Sequence, residues 1–304
     1  MSIVLMTGGT GMVGNRLCAL LREKGHTVRN LSRTGSAPDG AQGFAFDWKR
    51  RKLDKRALLG ADVLIHLAGA GIADEPWTNE RKLEIIASRT QTLDFIAEVW
   101  RNEGLLWPST VLSASGMGYY GVQTTDVPQK ENNPPGVHFL SQVCQKWEGA
   151  LDAFAREGIR TAALRISLVL SGKGGALPVM AKPVKYFVGA PLGSGKQWMS
   201  WIHVDDLCRM FILLMENEQL TGAFNAATPV ALRHSDFMRR VAEVLHRPLW
   251  PVNVPTSVMR IILGERADLV LKGVPLDVQK ILDTGFAFEY TELTKALHNC
   301  FHKS

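Results

Sequence analysis

The sequence predicts an α/β fold: a Rossmann-type doubly wound parallel sheet with a small, mainly helical C-terminal region. Three observations carry the prediction. An apolar run, Ile3 to Met6, ends in a glycine turn that opens a helix. Short apolar runs then alternate with helical periodicity through residue 166, the pattern of a buried parallel sheet. From Gly172 the texture changes to Gly, Pro and Lys, and beyond Pro229 only short helical segments follow.

The opening stretch reads Thr7-Gly8-Gly9-Thr10-Gly11-Met12-Val13-Gly14. Gly8 permits a tight turn, Gly11 admits a pyrophosphate against the backbone, and Gly14 lets the helix approach the strand. The helix N-terminus then presents free N–H groups to phosphates. Gly8, Thr10, Gly11, Met12, Val13 and Gly14 are therefore the candidate cofactor-binding residues of the first turn. Val13, Leu17, Leu20 and Leu21 share one helix face, Gly25 ends the helix, and Thr27 to Leu31 forms a second strand. An NAD-selective site would place a carboxylate at the end of this strand. Ser32-Arg33 stands there instead, and an arginine suits a 2′-phosphate, so the preference reads as NADP(H).

Phe44 to Phe46 is a third strand ending at Asp47, and Ala61 to Leu67 a fourth. At its end, the small residues after His66 (Leu67, Ala68 and Gly69) would let the middle of a dinucleotide lie on the backbone. His66 itself reads as a satisfied histidine at a strand terminus. A long helix is expected over Asn79–Asn102, with Leu83, Ile86, Thr90, Leu93, Ile96, Ala97 and Trp100 on its inner face. A fifth strand over Thr110–Ala114, a helix from Phe139 to Arg156 and a sixth strand over Thr161–Ile166 follow. Residues 172–201 form a substrate loop, and Asp205 is positioned to cap the next helix. The division is residues 1–228, binding the dinucleotide, and 229–304, a small C-terminal domain.

The chain holds 304 residues, 46% hydrophobic and 21% charged, enough for a sizeable core. No apolar run is long enough to span a bilayer, and no secretory leader is recognisable, so the expected location is cytoplasmic. Cys18, Cys144, Cys208 and Cys300 are too scattered for a zinc site or a disulfide framework, and no metal is expected. The net charge of +6 has one local cluster, Lys49-Arg50-Arg51-Lys52, without aromatic company. That argues for a solvated loop rather than a nucleic-acid surface. The expected partner is a small molecule.

Four stretches together resemble the extended short-chain dehydrogenases, the nucleotide-sugar epimerase group: the glycine turn, His66-Leu67-Ala68-Gly69, Ser113 to Gly121, and Trp201-Ile202-His203-Val204-Asp205-Asp206. Trp77-Thr78, Ser88-Arg89, Gly174 to Leu177, Pro191 to Trp198 and Gly285 to Phe288 are similar to an atypical epimerase-like branch with a C-terminal domain of unknown function. The resemblance implies that Asp47 touches the adenine, that Gly8, Gly11, Gly14 and Arg33 hold phosphates, and that residues from about 167 onward shape a substrate pocket.

It also implies a tyrosine and, four residues later, a lysine; the phenol moves a proton while the ammonium lowers its pKa and holds the nicotinamide ribose. Alignment on Glu148 puts Leu140 at the tyrosine position and Cys144 at the lysine position. Neither can do that work. Lys146 is two residues on and faces away. Ser115 occupies the family's serine position, and Tyr119 or Tyr120 just beyond it is the candidate proton carrier. Arg165 and Trp198 are the substrate-binding candidates; Lys182, Lys185, Lys196 and Arg209 could meet an anionic group such as a diphosphate, but in a basic chain the preferred reading for them is solvated surface. Two functions stay open: an NADP(H)-dependent oxidoreductase or epimerase, and a cofactor-binding sensor without turnover.

Overall fold

The computed structural model describes residues 1–121 and 124–302. In chain order the first half contains β1 (Ile3–Thr7), α1 (Met12–Glu23), β2 (Thr27–Ser32), β3 (Gln42–Asp47), β4 (Lys52–Leu53), β5 (Val63–His66), α2 (Asn79–Asn102) and β6 (Thr110–Gly116). Then come α3 (Phe139–Gly149), α4 (Asp152–Ala155), β7 (Arg160–Ile166), β8 (Leu168–Leu170), α5 (Ala176–Lys185), β9 (Trp198–Met199), β10 (Trp201–His203), α6 (Val204–Glu216) and β11 (Gly222–Ala226). The chain closes with β12 (Leu232–Arg233), α7 (His234–Val244), α8 (Thr256–Leu263), α9 (Asp268–Leu271), α10 (Gln279–Leu282) and α11 (Leu293–His302).

Eight of the described strands form one sheet in the order β11-β7-β6-β5-β1-β2-β3-β4. All its pairs are parallel except β3 with β4. The order reverses beside β1, which lies between β2 and β5, so a crevice opens at the carboxyl ends of these strands. Alternation along β1 divides the core. Val4 and Met6 face α1 and α6, packing with Leu17, Leu21 and Phe211, while Leu5 faces α2 and α4 with Leu93, Trp100 and Phe154. A third core joins Leu177, Ala181 and Trp201 to Phe237 and Val241 of α7 and Leu297 of α11, tying the loop region to the C-terminal helices.

Helix α2 has the expected ends, and Leu93, Ile96, Ala97 and Trp100 are buried as expected, while its first half turns a different side inward. Leu83 is 68% exposed, and the buried side instead runs through Ile85, Ser88, Arg89 and Thr92. Thr78 caps the helix through its hydroxyl, and that cap directs the first turn. The helix expected from Phe139 to Arg156 breaks into α3 and α4. The Leu151 N–H turns to the Glu148 carbonyl three residues back, and the longer α-helical bond resumes at Ala155. Asp205 does not cap α6. His203 does, its ring accepting from Asp205 N–H at 3.1 Å, while the Asp205 carboxylate pairs with Arg16 at 2.5 Å. The basic cluster at 49–52 is a turn between β3 and β4 whose Lys49 and Arg51 pair with Glu84 and Glu98 of α2.

Candidate dinucleotide crevice and active site

The glycine turn is built by close approach. Gly8 has φ of +74°, and a Cβ there would lie 2.8 Å from Ala68 N, so the ends of β1 and β5 meet only through glycine. A Cβ at Gly14 would sit 2.5 Å from Gly9 Cα, so α1 rests directly on its own loop. Gly11 differs. A Cβ there would meet Gly8 O alone, at a tight 3.3 Å. Gly11 also caps α1 without a side chain, and no acidic residue occupies the first turn. The N–H groups around Met12 and Val13 are thus left for an anion, beside exposed Thr10.

A residue not singled out in the sequence holds this turn. Asn30, fully buried on β2, accepts from Gly9 N–H at 2.9 Å and donates to Ser36 O at 2.8 Å. Its strand reads Thr-Val-Arg-Asn-Leu-Ser, mostly polar, so no sequence signal set it apart. Ser32 donates to the same Ser36 carbonyl at 2.8 Å. Between them Arg33 is exposed and has no ion pair or hydrogen bond to the described residues. Asp47, half-buried at the end of β3, accepts from Arg50 N–H at 3.1 Å.

The end of β5 is bonded to its neighbours. Leu67 N–H donates to Thr7 O, Ala68 N–H to the Thr7 hydroxyl at 3.3 Å, and Ala70 N–H to Ser88 Oγ at 2.9 Å. His66 is fully buried, with Nδ1 2.7 Å from Thr7 Oγ1. Burial, reinforced by the Arg89 charge, pushes its pKa down to about 3, so the ring is neutral.

Beyond β6 the candidate catalytic groups fall into one buried network. Ser115 Oγ donates to Glu148 at 2.7 Å, and Arg165 grips the same carboxylate through Nε and Nη2, both at 2.9 Å. Arg165 Nη1 donates to the Tyr120 hydroxyl at 3.0 Å, which itself donates to Asn225 Oδ1 at 2.7 Å. Tyr120 is 2% exposed, and burial pushes its pKa up to about 12. Arg165, expected at the pocket wall, is likewise buried and committed to Glu148, Tyr120 and Glu131 O. Tyr119 is different: half-buried, its ring lies 3.3 Å from the Arg165 guanidinium carbon, and its phenol makes no hydrogen bond among the described residues. Trp198 stacks on Arg233 at 3.7 Å and donates to Asp126 at 2.9 Å.

Residues 4–227 match the NAD dependent epimerase/dehydratase family, nearly three quarters of the chain. The chain belongs to that family. Residues 254–300 match a domain of unknown function, DUF1731. An epimerase family protein described as a chloroplastic SDR39U1 homolog, from Arabidopsis thaliana, is 34% identical over 97% of this chain and 85% of its own. An epimerase family protein of Staphylococcus aureus is 32% identical over 98% of this chain and 99% of its own. Among solved structures, human epimerase family protein SDR39U1 with NADPH has a TM-score of 0.86 at 27% identity, covering 99% of this chain and all of that one.

In this epimerase/dehydratase chain α3 contains no tyrosine, and its one lysine, Lys146, is exposed. Leu140 and Cys144 are both buried, and they pack against the turn after β6, where a Cβ at Gly118 would meet Leu140 Cβ at 3.1 Å and Cys144 Sγ at 3.7 Å. Burial, helped by the nearby Glu148 charge, pushes the Cys144 thiol up to about 11, so it is neither a cation nor a thiolate at neutral pH. A cleft of about 730 Å³ runs beside the glycine turn, lined by Thr10, Met12, Arg16, Lys173, His203 and Tyr290 among others. Ser115, Tyr119, Tyr120 and Arg165 lie outside it. Among the described residues no group of His, Cys, Asp and Glu could hold a metal ion, and no helix is long and apolar enough to cross a membrane.

Proposed function

We propose that the protein is a cytoplasmic NADP(H)-dependent oxidoreductase or epimerase of the short-chain dehydrogenase type, acting on a small anionic substrate at the carboxyl edge of the sheet. The observation that carries this reading is the N-terminus of α1 without a side-chain cap at Gly11, with Arg33 at the end of β2 unpaired among the described residues. One suits a pyrophosphate and the other a 2′-phosphate. The NADPH in the human relative's structure supports the same choice. Residues 1–228 would hold the dinucleotide, and 229–304 would close the substrate side.

The dinucleotide supplies hydride exchange at nicotinamide C4 when bound. Tyr119 is the proton carrier in this reading, because its phenol makes no hydrogen bond among the described residues whereas that of Tyr120 is tied to Arg165 and Asn225. Ser115 fixes Glu148, Glu148 holds Arg165, and Arg165 sets the Tyr119 ring. Trp198 and the segment over 172–201, which the structure builds from α5 and β9 rather than as a plain loop, are candidates for the substrate wall.

A second reading is favoured by Leu140 and Cys144: a protein that binds NADPH and signals its occupancy without turnover. The test is label transfer. NADPH deuterated at C4, each stereoisomer separately, is incubated with the protein and a deproteinised metabolite extract, with boiled protein as control. Deuterium in a new product establishes net reduction and its mass gives the substrate class. Binding without label transfer, and without isomerisation in a parallel sugar-nucleotide assay, would leave the sensor as the better reading.

A further inference from the structure

Arg89 is a buried cation without a carboxylate partner among the described residues. It is 5% exposed on the inner face of α2, and none of the ion pairs among the described residues includes it. Its Nη1 donates to Ile85 O at 2.8 Å and Ala70 O at 3.1 Å, its guanidinium carbon lies 4.6 Å from the Trp147 ring centre, and its Nε has no acceptor. Burying an unpaired charge is costly, and carbonyls with an aromatic face offset only part of that. Burial pulls its pKa down to about 10, which still leaves it protonated at neutral pH.

Its place gives the cost a reason. A Cβ at Gly69, on the strand end where a dinucleotide would cross the sheet, would meet the Arg89 guanidinium carbon at 2.7 Å. On the other side its charge acts on Cys144, the position where the family's lysine would stand, and on His66 at the end of β5. The cation missing from α3 thus reappears between Gly69 and Cys144, delivered by α2. We infer that Arg89 stands in for that lysine as a positioning residue, and that its charge makes the site prefer the neutral reduced nicotinamide to the positively charged oxidised ring. The inference rests on the reading of the crevice as an NADP(H) site.

The test measures two dissociation constants rather than activity: NADPH by its own fluorescence, and NADP⁺ by competition against it. The unaltered protein binds NADPH more tightly. Arg89→Met lowers the NADP⁺-to-NADPH ratio of dissociation constants about tenfold, the size of one unit charge acting across a partly screened site. Arg89→Lys keeps most of the ratio. Arg89→Gln serves as a second neutral variant should the methionine protein fail to fold. General damage to the loop at 69–71 weakens both forms alike and leaves the ratio unchanged, which overturns the inference, as does equal affinity in the unaltered protein or a lysine variant that behaves as methionine does. If neither form binds, the NADP(H) reading itself falls, and the inference with it.

Discussion

Arg165 on β7 and Glu148 on α3 face each other in a two-point ion pair, and Ser115 on β6 donates to the same carboxylate. Three elements are locked by one side chain. Burial alone would pull the Arg165 pKa down, and the Glu148 hydrogen bonds and charge more than reverse it, so the residue stays charged. Glu148→Ala should cost about 3 kcal/mol in a urea titration, because it leaves a buried guanidinium without its counter-charge. The double variant with Arg165→Met should recover part of that loss. A single-variant loss under about 1 kcal/mol would show the pair to be dispensable.

The glycines of the first turn should separate by readout. Gly14→Ala forces α1 off its loop and should lower the melting temperature. Gly11→Ala meets only Gly8 O, so the fold should tolerate it while NADPH binding weakens about tenfold or more. Titration of both proteins with NADPH, beside a thermal melt, checks the contrast. A Gly11→Ala protein that binds normally would exclude close phosphate approach at that residue.

Arg33→Ala should weaken NADPH about ten- to a hundredfold and leave NADH unchanged, the loss of one charge-assisted phosphate contact. Exposed and unpaired among the described residues, Arg33 should contribute under about 0.5 kcal/mol to stability. Equal affinity of the unaltered protein for NADH and NADPH would contradict the assignment.

Acid should destabilise the protein through its buried histidines. His66 falls from 6.5 to about 3 and His234 from 6.5 to about 4, burial being the main cause in each. Below pH 6.5 the unfolded chain takes up protons that the folded chain refuses, so stability falls with pH, by about 1.4 kcal/mol per unit for each fully refusing histidine. Urea midpoints from pH 7 to 5 should show this, and His66→Gln should reduce the slope. An unchanged slope in that variant would mean that His66 protonates in place.

The cysteines should be silent in the folded protein. All four are buried, and burial pushes Cys144 up to about 11 and Cys300 to about 12. A thiol reagent at pH 8 should modify none rapidly until denaturant is added, when all four react. Rapid modification of Cys144 in the native state would show that the turn after β6 opens.

The sequence by itself determined the strand–glycine–helix opening, the alternation of strands and helices through residue 166, and the bounds of α2. Each of these is local: a period, a turn residue or a spacing of a few positions carries it. The tertiary structure alone decided that Arg89 rather than Leu83 turns inward on α2, that His203 caps α6, and that Asn30 holds the glycine turn. It also drew Ser115, Glu148, Arg165, Tyr120 and Asn225 into one network that leaves the Tyr119 phenol without a hydrogen bond among the described residues. Hydrogen bonds between residues up to 105 positions apart have no period, and the pairing that satisfies a buried charge exists only once several strands and helices have brought its partners within reach.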